Sequence, residues 1–200
     1  MRDLLPLSRY EASVKGVAWR SSLVMAALWG IPMTTFLVIS QGDLGLVASL
    51  STGVLAALLF GFGWTLWMRR GMLRLIRRIY NGDPKIVPPA PAGPFDARLS
   101  CNLMLSKNFG VGGHLYLGED RAVFMPHNRN LPKHRHPVTM TPIPVGSVAI
   151  ADLNPSALVR LLANGPVRTI RVRVAEGDME ILTPEPETIV REITPYFHRE

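Results

Sequence analysis

The residues best suited to chemistry crowd into one ten-residue segment, His127-Asn128-Arg129-Asn130-Leu131-Pro132-Lys133-His134-Arg135-His136. Arg129, Lys133 and Arg135 are placed to hold phosphate or carboxylate oxygens, with each Arg offering a planar fork and Lys a point charge. An anionic headgroup or an acidic protein surface is the ligand chemistry they suit, and a solvated loop is the plainer alternative. His134 and His136, with His127, are of the type that ligates metal. Three cationic neighbours and the lack of a nearby Cys disfavour a cation there, so no metal site is expected.

Other reactive side chains read as structural. Cys101, the only cysteine, falls on the apolar register of an alternating strand, which predicts a buried thiol rather than a nucleophile. Glu176, Asp178 and Glu180 surround a turn, and carboxylates catalyse only within a cleft. His114 alternates with Leu115 and is expected on the surface. No Ser-His-Asp or Cys-His arrangement and no phosphate-binding Gly-Lys-Ser/Thr loop occurs. An enzyme is not expected, nor any cofactor.

A second group of cations points to a membrane. The chain has 200 residues and a net charge of +7. Residues 1–95 hold ten Lys and Arg against four Asp and Glu, whereas residues 96–200 hold twelve against eleven. The nearly balanced second half argues against a nucleic-acid surface. Ser21–Gly42 and Leu44–Met68 are uncharged, and about 20 apolar residues suffice to cross a bilayer as helix. Two spans (21–41 and 44–68) joined by the turn Gln41-Gly42-Asp43-Leu44-Gly45 are expected. Arg2, Arg9, Lys15 and Arg20 precede them and Arg69, Arg70, Arg74, Arg77, Arg78 and Lys85 follow, so both termini are expected in the cytoplasm, as in a multi-pass plasma-membrane protein. Trp19, Trp64 and Trp67 fall near the same interface. Neither span holds an ionisable residue, which leaves an anchor rather than a transporter.

Small residues recur every fourth position: Ser22, Ala26, Gly30 and Thr34, then Gly45, Ser49, Gly53, Ala57 and Gly61. They predict close helix packing, within one hairpin or between two copies. Pro32 is expected to kink the first span. Residues 69–80 are expected to form a basic amphipathic segment along the leaflet. Arg70, Arg74, Arg77 and Arg78 would lie opposite Met72, Leu75, Ile76 and Ile79 and contact anionic lipid.

The positioning elements follow. Residues 1–20 form a cytoplasmic N-terminal segment. Residues 81–95, with Pro84, Pro88, Pro89, Pro91 and Pro94, predict a stiff extended linker to a cytoplasmic domain at 96–200. Leu99, Cys101, Leu103 and Leu105 alternate as in a half-buried strand. Gly110–Gly113 reads as a turn, and 114–117 with 122–125 reads as a hairpin. Strands are expected at 138–143 and 145–150, then a short helix begins at Asn154-Pro155 and ends at Asn164-Gly165. Residues 167–174 place Ile170, Val172 and Val174 inward and Arg171 and Arg173 outward, before a strand at 179–183. A final helix from about Glu185 carries Ile189, Val190, Ile193 and Phe197, with Pro195 weakening its last turn. About seven strands and a helix predict a small barrel or packed sheets.

Gly113-His114-Leu115-Tyr116-Leu117-Gly118-Glu119-Asp120-Arg121-Ala122-Val123-Phe124 resembles the strand–turn–strand signature of GRAM and related PH-like domains. Ile143-Pro144-Val145-Gly146-Ser147-Val148 is similar to a second segment of that family. Ala122 and the 155–163 helix depart from the pattern. The resemblance, over residues 96–198, implies a helix-capped PH-like barrel that binds lipid or protein without catalysis. Leu115, Leu117, Val123 and Phe124 would be core, and Gly113 would relieve a turn. Together these readings predict a non-enzymatic membrane-anchored binding module, or alternatively a structural adaptor subunit of a membrane complex.

Overall fold

In the computed structural model, residues 1–40, 46–143, 147–154 and 167–197 are described. The turn at 41–45 and the helix expected at 155–163 lie outside them. The chain divides into two compact units, Met1–Glu11 with Ile76–Glu200, and Ala12–Leu75.

The second unit, Ala12–Leu75, is formed by most of two long apolar helices. They are α1, Leu7–Ser40, of 34 residues, and α2, Leu46–Tyr80, of 35. At about 1.5 Å per residue each spans roughly 50 Å. Both are long and apolar enough to cross a membrane. Pro32 lies inside α1, and the helix assignment runs through it.

The small residues bring the two helices together inside one chain. A Cβ on Gly30 would come within 2.5 Å of the Ala57 Cβ, and one on Gly61 within 2.8 Å of the Ala26 Cβ. Gly53 faces the Thr34 side chain with no room for a Cβ. Thr65 donates to Ser22 across the same seam and to the Gly61 carbonyl at 2.7 Å. Trp29, Phe60, Trp64 and Trp67 form a chain of ring contacts at 5.2 to 6.3 Å. A leucine at position 53 would collide with Thr34, whereas Gly63 has nothing within 4 Å of its added Cβ. Gly53→Leu is therefore expected to weaken the hairpin by about 1–3 kcal/mol, and Gly63→Leu to leave it unchanged. All four tryptophans lie on α1 and α2, so their fluorescence during detergent-titrated unfolding reports this unit alone.

Among the described residues, the other unit holds an eight-stranded sheet and a C-terminal helix. Its strands are β1 (Arg2–Asp3), β2 (Ala97–Ser106), β3 (Phe109–Leu117), β4 (Ala122–Pro126), β5 (Val138–Met140), β6 (Val148–Leu153), β7 (Val167–Val174) and β8 (Gly177–Leu182), and the helix is α3 (Pro186–Phe197). The order is β5-β4-β3-β2-β8-β7-β6, antiparallel throughout, with β1 added to β2 in parallel. The Ala175 amide donates to the Thr141 carbonyl at 3.0 Å, joining the residue after β5 to the β7–β8 turn. Alternation sets the core: Leu99, Cys101 and Leu103 of β2, Val111, Leu115 and Leu117 of β3, and Ile170, Val172 and Val174 of β7 share it with Ile189, Ile193 and Phe197 of α3. Arg171 and Arg173 point outward and pair with Glu180 and Asp178 at 2.8 and 3.0 Å.

Three expectations need correction. Residues 110–113 are not a turn but part of β3, where Gly113 pairs with Cys101 and Pro126. The chain reverses earlier, at Lys107–Asn108. Gly113 is required by close approach, since its Cβ would lie 2.5 Å from the Met125 carbonyl and the Phe124 ring. The N-terminal segment is not separate from the C-terminal domain. The Arg2 amide donates to the Asp96 carbonyl at 2.7 Å, Leu4 to Arg98 at 2.9 Å, and Leu5 is buried in the sheet core. The proline-rich stretch is not a free spacer either. Ile86 and Val87 are buried, and the Asn128 amide donates to the Ile86 carbonyl at 2.7 Å. Proline supplies the stiffness, but two apolar residues between Lys85 and Pro88 fasten the segment down.

Candidate functional site

The cationic segment after β4 folds into an ordered turn. The His127 amide donates to the Gly112 carbonyl at 2.9 Å, which ties the loop's first residue to β3. Asn130 then acts as a staple, its side-chain amide donating to the carbonyls of Gly112 and His127 at 2.8 Å each. Pro132–His134 forms a single 3-10 turn, and proline suits its first position because its fixed φ is already helical. The Arg135 Nε donates to the Asn130 carbonyl at 2.7 Å, closing the loop. The His134 ring lies 5.3 Å from that of Phe109 at the start of β3.

This frame projects Arg129 and Lys133 into solvent, and neither makes an ion pair among the described residues. Arg135 is exposed too, and it spends one of its five donors on the loop backbone. The three cations predicted as a group therefore share one short, internally bonded turn.

The cations at the end of α2 divide differently. Residues 69–80 belong to α2 without a break. Arg70 and Arg74 are exposed and make no ion pair among the described residues. Arg77 pairs with Glu11 at 2.7 Å and Arg78 with Asp83 at 2.6 Å. Asp83 also accepts the Lys85 amide, and these bonds hold its carboxyl below the usual carboxylate range. Gly82, at φ 69°, ends α2 in the left-handed conformation that glycine adopts without strain.

The histidines separate. His127 does not join His134 and His136, and no group of three metal-ligating side chains exists among the described residues. Its ring instead packs edge-on against His114, at 5.0 Å between centroids. His114, expected on the surface, is fully buried. It faces away from the main core, as alternation requires, and on that outer face the rings of His127 and Tyr116 lie beside it. Phe95 lies against Tyr116 at 5.9 Å, and Tyr116 in turn against His114 at 6.2 Å. Ser100 Oγ and His114 Nδ1 are 2.9 Å apart. The Nε2 atoms of both histidines are buried with no partner. Burial, then the neighbouring His127 and Arg98, pushes His114 down to about 3, and burial pushes His127 down to about 4. Both rings are neutral near pH 7.

Cys101 is buried as expected, and desolvation pushes its thiol up to about 12, which makes it unreactive in the folded unit. Glu176 is occupied in binding the Thr141 amide and hydroxyl, at 2.9 and 2.7 Å. Sequence reasoning missed the β2–β3 tip, where Leu105, Lys107 and Phe109 are exposed beside the cationic loop. The available signal was apolar alternation continuing past the point where the core ends.

No family model, curated protein or solved structure matches the chain.

Proposed function

We propose that α1 and α2 cross the cytoplasmic membrane and that the β unit is a PH-like, GRAM-type binding module contacting anionic lipid headgroups at the cytoplasmic leaflet. The observation carrying this reading is the ordered turn that presents Arg129, Lys133 and Arg135 together in solvent. Large apolar side chains such as Leu28, Phe36, Leu58 and Phe62 are exposed along the helices, which suits a hydrocarbon surrounding. Residues 1–11 and 76–200 belong to one unit, so a path that crosses twice returns to the side it left. The cationic flanks make that side the cytoplasm. An antiparallel path in which the first long strand pairs with the last, followed by a helix completing the core, supports the PH-like reading.

The test uses the whole chain, because residues 96–200 alone lack β1, Leu5, Ile86 and Val87. Protein held in nanodiscs carries a donor dye on the β unit, and the lipid headgroups carry the acceptor. Energy transfer is expected to rise as anionic lipid replaces neutral lipid. A cation near an anionic surface is worth about 1 kcal/mol, so replacing Arg129, Lys133 and Arg135 with Ala should weaken docking by up to about 100-fold. Transfer that ignores both lipid charge and these substitutions overturns the reading.

A further inference from the structure

We infer that the β2–β3 tip and the adjoining cationic turn form a wedge whose apolar side chains, Leu105, Phe109 and Leu131, enter the bilayer below the headgroups. This inference rests on the headgroup-binding reading above and adds what the apolar residues of the same surface do.

Apart from Met1, the β unit exposes four large apolar side chains among the described residues: Leu105 at 49%, Phe109 at 44%, Leu131 at 58% and Ile150 at 41%. Three of the four lie at one end of the sheet. The turn is fastened to β3 through Gly112, and the His134 ring contacts Phe109, so tip and turn make one continuous surface. Ile150, on edge strand β6, is not part of it.

Charge identifies the occupant. No Asp or Glu occurs in residues 97–118 or in residues 121–151. The charged side chains of the tip and turn are Lys107, Arg129, Lys133 and Arg135, all of them cationic. Lys107, like Arg129 and Lys133, is exposed without an ion pair among the described residues. An anionic leaflet offers a negative plane above an apolar layer, and this surface offers cations around exposed apolar side chains. The Asn130 side-chain amide and the Arg135 Nε are already spent on the carbonyls of Gly112, His127 and Asn130, which leaves Lys107, Arg129 and Lys133 as the outward-facing cations.

The test reads depth separately from docking. Cys101 is the chain's only cysteine, so a Cys101→Ala background allows single labels at Phe109→Cys, Leu131→Cys and Ile150→Cys. Each full-length variant is held in nanodiscs and carries a polarity-sensitive dye, with quenchers on the lipid acyl chains. At 30% anionic lipid, labels at 109 and 131 should shift to the blue and be quenched, while the label at 150 stays in water. With the label at 131, Phe109→Ser should weaken quenching by about tenfold, the usual effect of losing one buried large apolar side chain.

Headgroup energy transfer from the label at 150 reports docking independently. Transfer that rises with anionic lipid while labels 109 and 131 stay in water sinks the wedge and leaves the headgroup reading standing. Quenching with no dependence on lipid charge keeps the wedge and overturns the headgroup reading. Labels shielded only in native membranes, and never in pure lipid, would assign the surface to a protein and overturn the wedge.

Discussion

Between pH 7 and pH 5 the β unit is expected to lose about 4 kcal/mol of stability, because two neutral histidines are buried side by side. An unfolded histidine titrates near 6.5, whereas His114 and His127 are held down to about 3 and about 4 in the fold. Below about 6.5 the unfolded chain binds protons that the folded chain refuses, so stability falls as pH falls. Each pH unit below that point costs about 1.4 kcal/mol per histidine until the folded value is reached. The Arg98 guanidinium adds to the resistance of His114 against protonation, while Asp3 partly offsets it. Paired carboxylates such as Asp178 and Glu187 are held below their ordinary values, so their contribution is lost at lower pH. The window from 6.5 to 5 therefore isolates the histidines. Urea unfolding of the nanodisc-held protein at the two pH values, followed by circular dichroism, measures the loss. His114→Gln with His127→Gln should flatten the slope, and equal wild-type midpoints at pH 7 and 5 would refute the assignment.

Leu5→Ala should cost the β unit about 2–4 kcal/mol, although Leu5 lies before the first helix, far in sequence from the other strands. The side chain is buried as part of the same core cluster as the strand and α3 residues, and truncating a buried leucine loses both burial and packing. Cys101 provides the probe: its thiol is buried in that core, so it reacts only when the unit opens. If opening equilibrates before labelling, the loss corresponds to roughly 30- to 1000-fold faster modification. Leu4→Ala, at a partly buried position, should have a smaller effect. Unchanged Cys101 labelling in Leu5→Ala would show that the N-terminal segment contributes nothing to the fold.

These two sites also mark where the sequence could be read and where it could not. The long uncharged runs and the alternation at 99–105 and 167–174 declare their elements, because burial of one face imposes a period. The final helix is legible for the same reason, with Ile189, Ile193 and Phe197 fully buried. A two-residue strand such as Arg2–Asp3 has no period, and its partner Ala97–Arg98 is remote. His114 follows the outward register, but whether an outward face is wet depends on what lies over it. One neighbour there is His127, which follows β4, and the spacing around His114 does not announce it. The cationic turn was legible by residue type. Its staple was not, since Asn130 gains its role from the carbonyl of Gly112 across the sheet. Arg77 and Arg78 read as free cations until Glu11 and Asp83 are brought beside them.

The parallel addition of β1 to β2 also sets an order of events during synthesis. Asp3 and Arg98, which share two hydrogen bonds, are 95 residues apart. At about 5–20 residues per second, the ribosome needs roughly 5–20 s to deliver the partner after the N-terminus has emerged. Both hydrophobic helices are made within that interval. Arg2 and Asp3 therefore stay unpaired until Ala97 and Arg98 follow. Until then the edge of β2 that β1 fills does not exist, so this pairing closes only after both long helices have been made.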